Sequence, residues 1–149
     1  MNAPVPSRAW FFVVVLALAV LAGCSGGPPP NDVDPTQERL VKIGLAYREY
    51  CDRQMKAPAG AEDLNPLLKA QGADDTVWNS ARDQQPFVVV WGLDLRQPPV
   101  WAGDKLPVLA YERLGKSGKR FVRTIHGATL EMSAAEFTAA AFPPGHTPE

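Results

Sequence analysis

Pro35-Thr36-Gln37-Glu38-Arg39-Leu40-Val41-Lys42-Ile43-Gly44-Leu45-Ala46-Tyr47-Arg48-Glu49-Tyr50-Cys51-Asp52-Arg53-Gln54-Met55 sets Leu40, Ile43, Gly44, Tyr47, Tyr50, Cys51 and Met55 at spacings of three and four. Residues so spaced share one side of an α-helix, so the segment reads as a long amphipathic helix with a single apolar stripe. Cys51 lies within the stripe and reads as a small buried apolar residue rather than a reactive thiol. Pro58 and Gly60 close the element.

Downstream the pattern continues as helix and then changes period. Glu62 to Lys69 predicts a short second helix with Leu64, Leu67 and Leu68 inward, provided that Pro66 sits near its first turn. Gln71 to Asp75 is a polar turn. Phe87-Val88-Val89-Val90-Trp91-Gly92-Leu93-Asp94-Leu95, set between Pro86 and Pro98-Pro99, is rich in β-branched and aromatic residues and predicts a strand. It is apolar on both faces, which predicts a central place in the sheet. Leu106 to Arg113 and Lys119 to Ile125 form two further strands around the turn Leu114-Gly115-Lys116-Ser117-Gly118, and His126-Gly127 turns the chain into Ala128 to Met132. Two successive hairpins imply an antiparallel sheet. Ser133-Ala134-Ala135-Glu136 is a capping box that opens a short helix through Ala141. Pro143-Pro144-Gly145 ends it, leaving a tail with little to pack. The fold expected over residues 36–147 is therefore α+β: an N-terminal amphipathic helix packed on a small antiparallel sheet, with a short C-terminal helix.

Upstream of the helix the chain has a different character. Arg8 precedes an unbroken run of 14 apolar residues, Ala9 to Ala22, and Gly23-Cys24 follows. At about 1.5 Å per residue the run reaches roughly 21 Å, short of the ~30 Å of a bilayer core, so residues 1–23 read as a secretory signal peptide and not a span. Leu21-Ala22-Gly23-Cys24 resembles the lipobox of bacterial lipoproteins. That resemblance implies cleavage before Cys24, acylation of its sulfur and new amine, and a membrane partner reached through lipid on Cys24. Several acyl chains anchor effectively permanently, at about 0.8 kcal/mol per buried methylene. Ser25 follows the cysteine where Asp is absent, which by the same resemblance implies the outer membrane, at its periplasmic face. Residues 24–35 form the lipidated cysteine and a Pro/Gly-rich tether.

The whole chain has 15 Lys plus Arg against 16 Asp plus Glu. Removing Arg8 with the signal leaves the mature part slightly acidic, with no basic patch to attract nucleic acid. With Cys24 acylated, Cys51 has no intramolecular partner. Gly115-Lys116-Ser117 ends like a P-loop, but Ala110 stands where a further Gly is needed and the segment joins two strands. His126 and His146 have no ligand-spaced companions, so no metal site is expected. Asp74-Asp75 and Glu62-Asp63 read as solvated loop or helix N-terminal acids. No nucleophile, base and orienting group can be assembled, so neither enzyme activity nor a cofactor is expected. Trp78, Trp91 and Trp101 cluster around the first strand; such density builds either a core or a ligand platform.

Leu40-Val41-Lys42-Ile43-Gly44-Leu45-Ala46-Tyr47 with Tyr50, Ala57-Pro58 with Glu62-Asp63-Leu64, Arg82-Asp83 with Pro86-Phe87, and the pieces Val108 to Glu112, Gly118 to Val122 and His126-Gly127 occur in a telling order. Together they resemble the globular head of type II secretion pseudopilins and related pilin-like proteins. In that family Arg-Asp is followed by Gly, where Gln84 stands here, and a prepilin cleavage motif, missing here, precedes the helix. The resemblance implies a pilin-like head attached to lipid instead of to a pilin stalk. The expected function is a lipid-anchored, non-enzymatic binding or scaffolding module of the periplasm and outer membrane, with a partner in a secretion or envelope assembly. The alternative expectation is a small-molecule or saccharide binder using Trp78, Trp91 and Trp101.

Overall fold

A computed structural model describes residues 33–97 and 99–148 of the chain. The expected signal peptide, Cys24 and most of the expected tether lie outside the described residues. Helix α1 spans Pro35–Gln54. Asp34, which composition assigned to the tether, is its N-cap, accepting from the Thr36 N–H at 2.8 Å, and Pro35 fills the first turn, where its missing N–H costs nothing. Leu40, Ile43, Gly44, Tyr47, Tyr50 and Cys51 are buried as the stripe requires. Met55 leaves the stripe: it is the left-handed C-cap residue at φ 55° and is 67% exposed.

Helix α2 spans Ala61–Ala70 and packs Leu64 and Leu68 against α1, with Leu67 half-buried beside them. Pro66 lies inside this helix rather than in its first turn. A 3-10 turn over Asp75–Trp78 then leads to a four-stranded antiparallel meander: β1 Val88–Val89, β2 Val108–Tyr111, β3 Lys119–Thr124 and β4 Thr129–Ser133, in that spatial order. Helix α3, Ala134–Ala139, follows through the expected capping box of Ser133 and Glu136. The molecule is thus α+β.

The first strand departs from expectation twice. It is far shorter than Phe87 to Leu95, and it lies at the edge of the sheet. Its two apolar faces have a different cause from flanking strands. Val89 packs into the core shared with α1 and α2, while Val88 packs on the opposite face with Val108, Tyr111, Val122, Met132 and Phe137. A strand covered by helices on both sides needs no neighbour on both edges to read as apolar throughout. Ladder pairing stops because the chain turns at Gly92, whose φ is 77°, and its N–H goes to the Pro58 carbonyl instead.

The C-terminal tail is also corrected. Phe142 and His146 pack with Tyr111 and Phe137 in a ring cluster, and the Tyr111 hydroxyl lies 3.2 Å from His146 Nε2. Aromatic rings spaced through a Pro-rich stretch escape any periodicity test, yet edge and stacked contacts of this kind hold a tail down. The hairpin turn at residues 114–118 conforms to its reading. At Gly115, φ 73°, an added Cβ would collide with the Lys119 carbonyl oxygen, so the glycine belongs to the turn and not to a phosphate loop.

Cys51 is fully buried, with its Sγ 3.7 Å from the Leu93 carbonyl, and burial pushes its thiol up from the ordinary range. A thiol so placed is a poor nucleophile. In the folded protein Cys51 should resist an aromatic disulfide reagent and titrate promptly only after denaturation; rapid reaction before unfolding would contradict the packing.

Candidate functional site

The β1–β2 connection, residues 90–107, is the longest stretch between strands, and loops of that length are commonly functional when they are held in place. Here the holding is done from below by α1. The Tyr47 hydroxyl donates to the Val90 carbonyl at 3.2 Å and accepts from the Leu93 N–H at 2.9 Å. Burial drives that phenol well above its ordinary range, so it stays neutral and able to do both. At the far end of α1, Arg96 donates to the Met55 carbonyl at 2.8 Å and pairs with Asp94 at 2.6 Å. A cation on the last carbonyls of a helix satisfies both orphan acceptors and the helix dipole. The hydrogen bonds and charge of Arg96 hold the Asp94 carboxyl below its usual range.

On this pinned base the loop makes a 3-10 turn at Val100–Ala102. Val100 is 91% exposed, the most exposed of the large hydrophobic residues described. Trp101 beside it lines a cleft of about 310 Å³ with Leu93, Asp94, Leu95 and Ile125. A second cleft, about 410 Å³, is lined by Val89, Val90, Trp91, Pro143 and His146, and Gly92 and Leu93 line both.

The three tryptophans therefore do not form one platform. Trp91 stacks on Tyr47, ring centroids 6.1 Å apart and planes 15° apart, and lies 6.2 Å from Trp78 in a tilted pair. Trp78 donates its indole N–H to Asn65 Oδ1 at 3.0 Å and packs on the core. Both are partly buried rings packed against the core, and Trp78 has its polar edge satisfied. Trp101 belongs to the exposed turn.

A second polar constellation, which no spacing in the sequence announced, lies under the hairpin turn. Glu112 is fully buried; Oε1 accepts from Ser80 Oγ at 2.6 Å and Oε2 accepts from the Phe121 N–H at 2.7 Å. Arg82 stands 3.7 Å from Glu112, pairs with Glu131 at 2.8 Å and lies over the Phe121 ring. Asp83 Oδ2 accepts from the Leu114 and Gly115 N–H groups. Ser80 has an acid but no histidine within this set, so the geometry fastens three chain segments and sets up no nucleophile.

Burial alone would raise the Asp83 pKa, but backbone hydrogen bonds from Gln85, Gly115 and Leu114 overcome it and leave the carboxyl below its ordinary value. A carboxyl lowered on folding stabilises the protein above its unfolded pKa, and that contribution fades as pH falls through the folded value. Asp83→Asn should cost about 1–3 kcal/mol at neutral pH. The gap to wild type should narrow below about pH 4, as urea unfolding across a pH series would register.

Among the described residues, no helix is long and apolar enough to cross a membrane and no group of three or more His, Cys, Asp or Glu side chains is placed to hold a metal ion. No protein-family model, curated protein or solved structure matches this chain.

Proposed function

We propose that this is a lipid-anchored, non-enzymatic domain that binds a protein partner of an envelope or secretion assembly through its β1–β2 loop. The observation that carries the reading is the loop presenting Val100 to solvent beside a half-buried Trp101. Covering a valine and an adjacent tryptophan contributes roughly 1.5–3 kcal/mol per side chain, and Val90, Leu93 and Arg96 are already tied to α1, so less freedom is lost there on contact. The tether enters α1 at Asp34, while Arg96 grips α1 at Met55. A helix of 20 residues puts about 30 Å between those points. Tethering through Cys24 at the outer membrane would then raise the effective concentration of that surface toward membrane-bound partners.

The pilin-like head remains the finer reading of the α+β fold. It is supported by the order of one long helix followed by an antiparallel meander, and by Gln84. That residue adopts φ 58°, the left-handed conformation that explains why glycine is usual at this place in the family it resembles. Its side-chain amide donates to the Ala81 carbonyl at 2.8 Å, which helps to hold the strained backbone.

A photo-crosslinking residue placed at Val100 in cells should capture a reproducible protein adduct that the same residue at exposed Lys116 does not. Equal capture at both positions, or none at Val100, would overturn the proposal. Saturable quenching of Trp101 fluorescence by a soluble sugar, with no adduct, would favour the small-ligand alternative.

A further inference from the structure

Several cations of this domain pair with carboxylates: Lys42 with Glu38, Arg53 with Glu49, Arg82 with Glu112 and Glu131, and Arg96 with Asp94. Among the described residues Arg123 has no such partner although it is buried. It projects from β3 into the layer beneath α1, between Phe121 and Ile125, and is only 8% exposed. Its Nη1 donates to Thr129 Oγ1 at 3.0 Å, and its Nε has no hydrogen-bond partner. No ion pair with a carboxylate forms at Arg123 among the described residues.

The space it occupies is set by Gly44. A Cβ there would fall 2.6 Å from Arg123 Nε and 3.3 Å from Cγ, so α1 carries a glycine, costing about 0.5–1 kcal/mol of helix stability, directly over the guanidinium. One turn further on, Arg48 crosses to the same hairpin and donates to the Ile125 carbonyl at 2.9 Å. Arg48 forms no ion pair with Asp52, the acid one turn beyond it. Burial and the Arg48 charge together lower the Arg123 pKa, so the two guanidinia feel one another across the gap. Two cations held at one hairpin, one of them buried and incompletely hydrogen-bonded, make a locus that an anion relieves and that water at the surface only partly does.

We infer that Arg123 and Arg48, with the Thr129 hydroxyl, form a seat for a phosphate-type oxyanion at the mouth between α1 and the β3–β4 hairpin. Guanidinium forks match such oxygens in charge and in geometry, and the Arg123 Nη donors not given to Thr129, with Nη2 toward the Gly127 turn, are the ones an oxyanion would take. The ligand chemistry is the same whether the group is free phosphate or a phospholipid headgroup.

The test uses the full chain in neutral detergent, with thermal unfolding followed against inorganic phosphate at ionic strength held constant with chloride, and in parallel against monomeric dihexanoylphosphatidylglycerol. A saturable rise in midpoint that Arg123→Met abolishes and Arg48→Met weakens at least about ten-fold is expected, since a charge-assisted bond contributes about 1.5–3 kcal/mol. A response to phosphate assigns a free ion; a response to the lipid alone assigns a headgroup, and both support the seat. No saturation with either probe, or equal saturation in wild type and Arg48→Met, would overturn it. Arg48 is exposed, so its variant keeps the test valid even where Arg123→Met does not fold.

Discussion

Glu112→Ala should lower stability by about 3–5 kcal/mol, because it removes one partner of a buried ionic group and strands the rest. Ser80 Oγ would lose its acceptor, the Phe121 N–H would face a void, and Arg82 would keep Glu131 as its one carboxylate partner among the described residues. For a domain of this size that is a fall of about 10–20 °C in the unfolding midpoint. Glu112→Gln should cost less, about 1–3 kcal/mol, since one carbonyl oxygen still accepts while the amide nitrogen confronts a donor. Calorimetry on both variants separates the cases. Equal, small losses would mean that the buried carboxylate is incidental to the fold.

Tyr47→Ala should be nearly as damaging, at about 3–5 kcal/mol, through the cavity left in the main core. The ring is fully buried and stacked on Trp91. The diagnostic companion is Tyr47→Phe. It keeps the ring and deletes the hydroxyl that ties Val90 and Leu93 to α1, so its loss of about 1–3 kcal/mol should fall mainly on the loop. Hydrogen exchange should show faster exchange at Leu93 and in Val100 to Ala102 with β3 unchanged. Uniform loss of protection across the sheet would mean that the loop is not separately anchored.

The contrast between these residues explains how far the sequence could be read. The spacing from Leu40 to Cys51 reported α1 faithfully because one helix face meets one core, and the Ser133 capping box reported α3 because its partners are three residues apart. Alternation likewise marked β3, though not the brevity of β1, whose two faces answer to two separate cores. Ser80, Glu112 and Phe121 are joined over long sequence distances, and no local pattern encodes such a meeting. The tryptophans were visible as a group, but their division into a packed pair and an exposed turn depends on where Gly92 bends the chain. Nothing in the local sequence marked Arg123 as a buried cation. Only Gly44, a helix glycine without an evident purpose, hinted that something bulky needed room.

Anchoring through a lipidated Cys24 is the proposal on which the raised effective concentration toward membrane-bound partners rests. Intact mass spectrometry of the chain extracted from membranes tests it most directly. The account predicts a polypeptide beginning at Cys24 and heavier than its sequence by fatty acyl groups; a chain still beginning at Met1, with an unmodified Cys24, would contradict it.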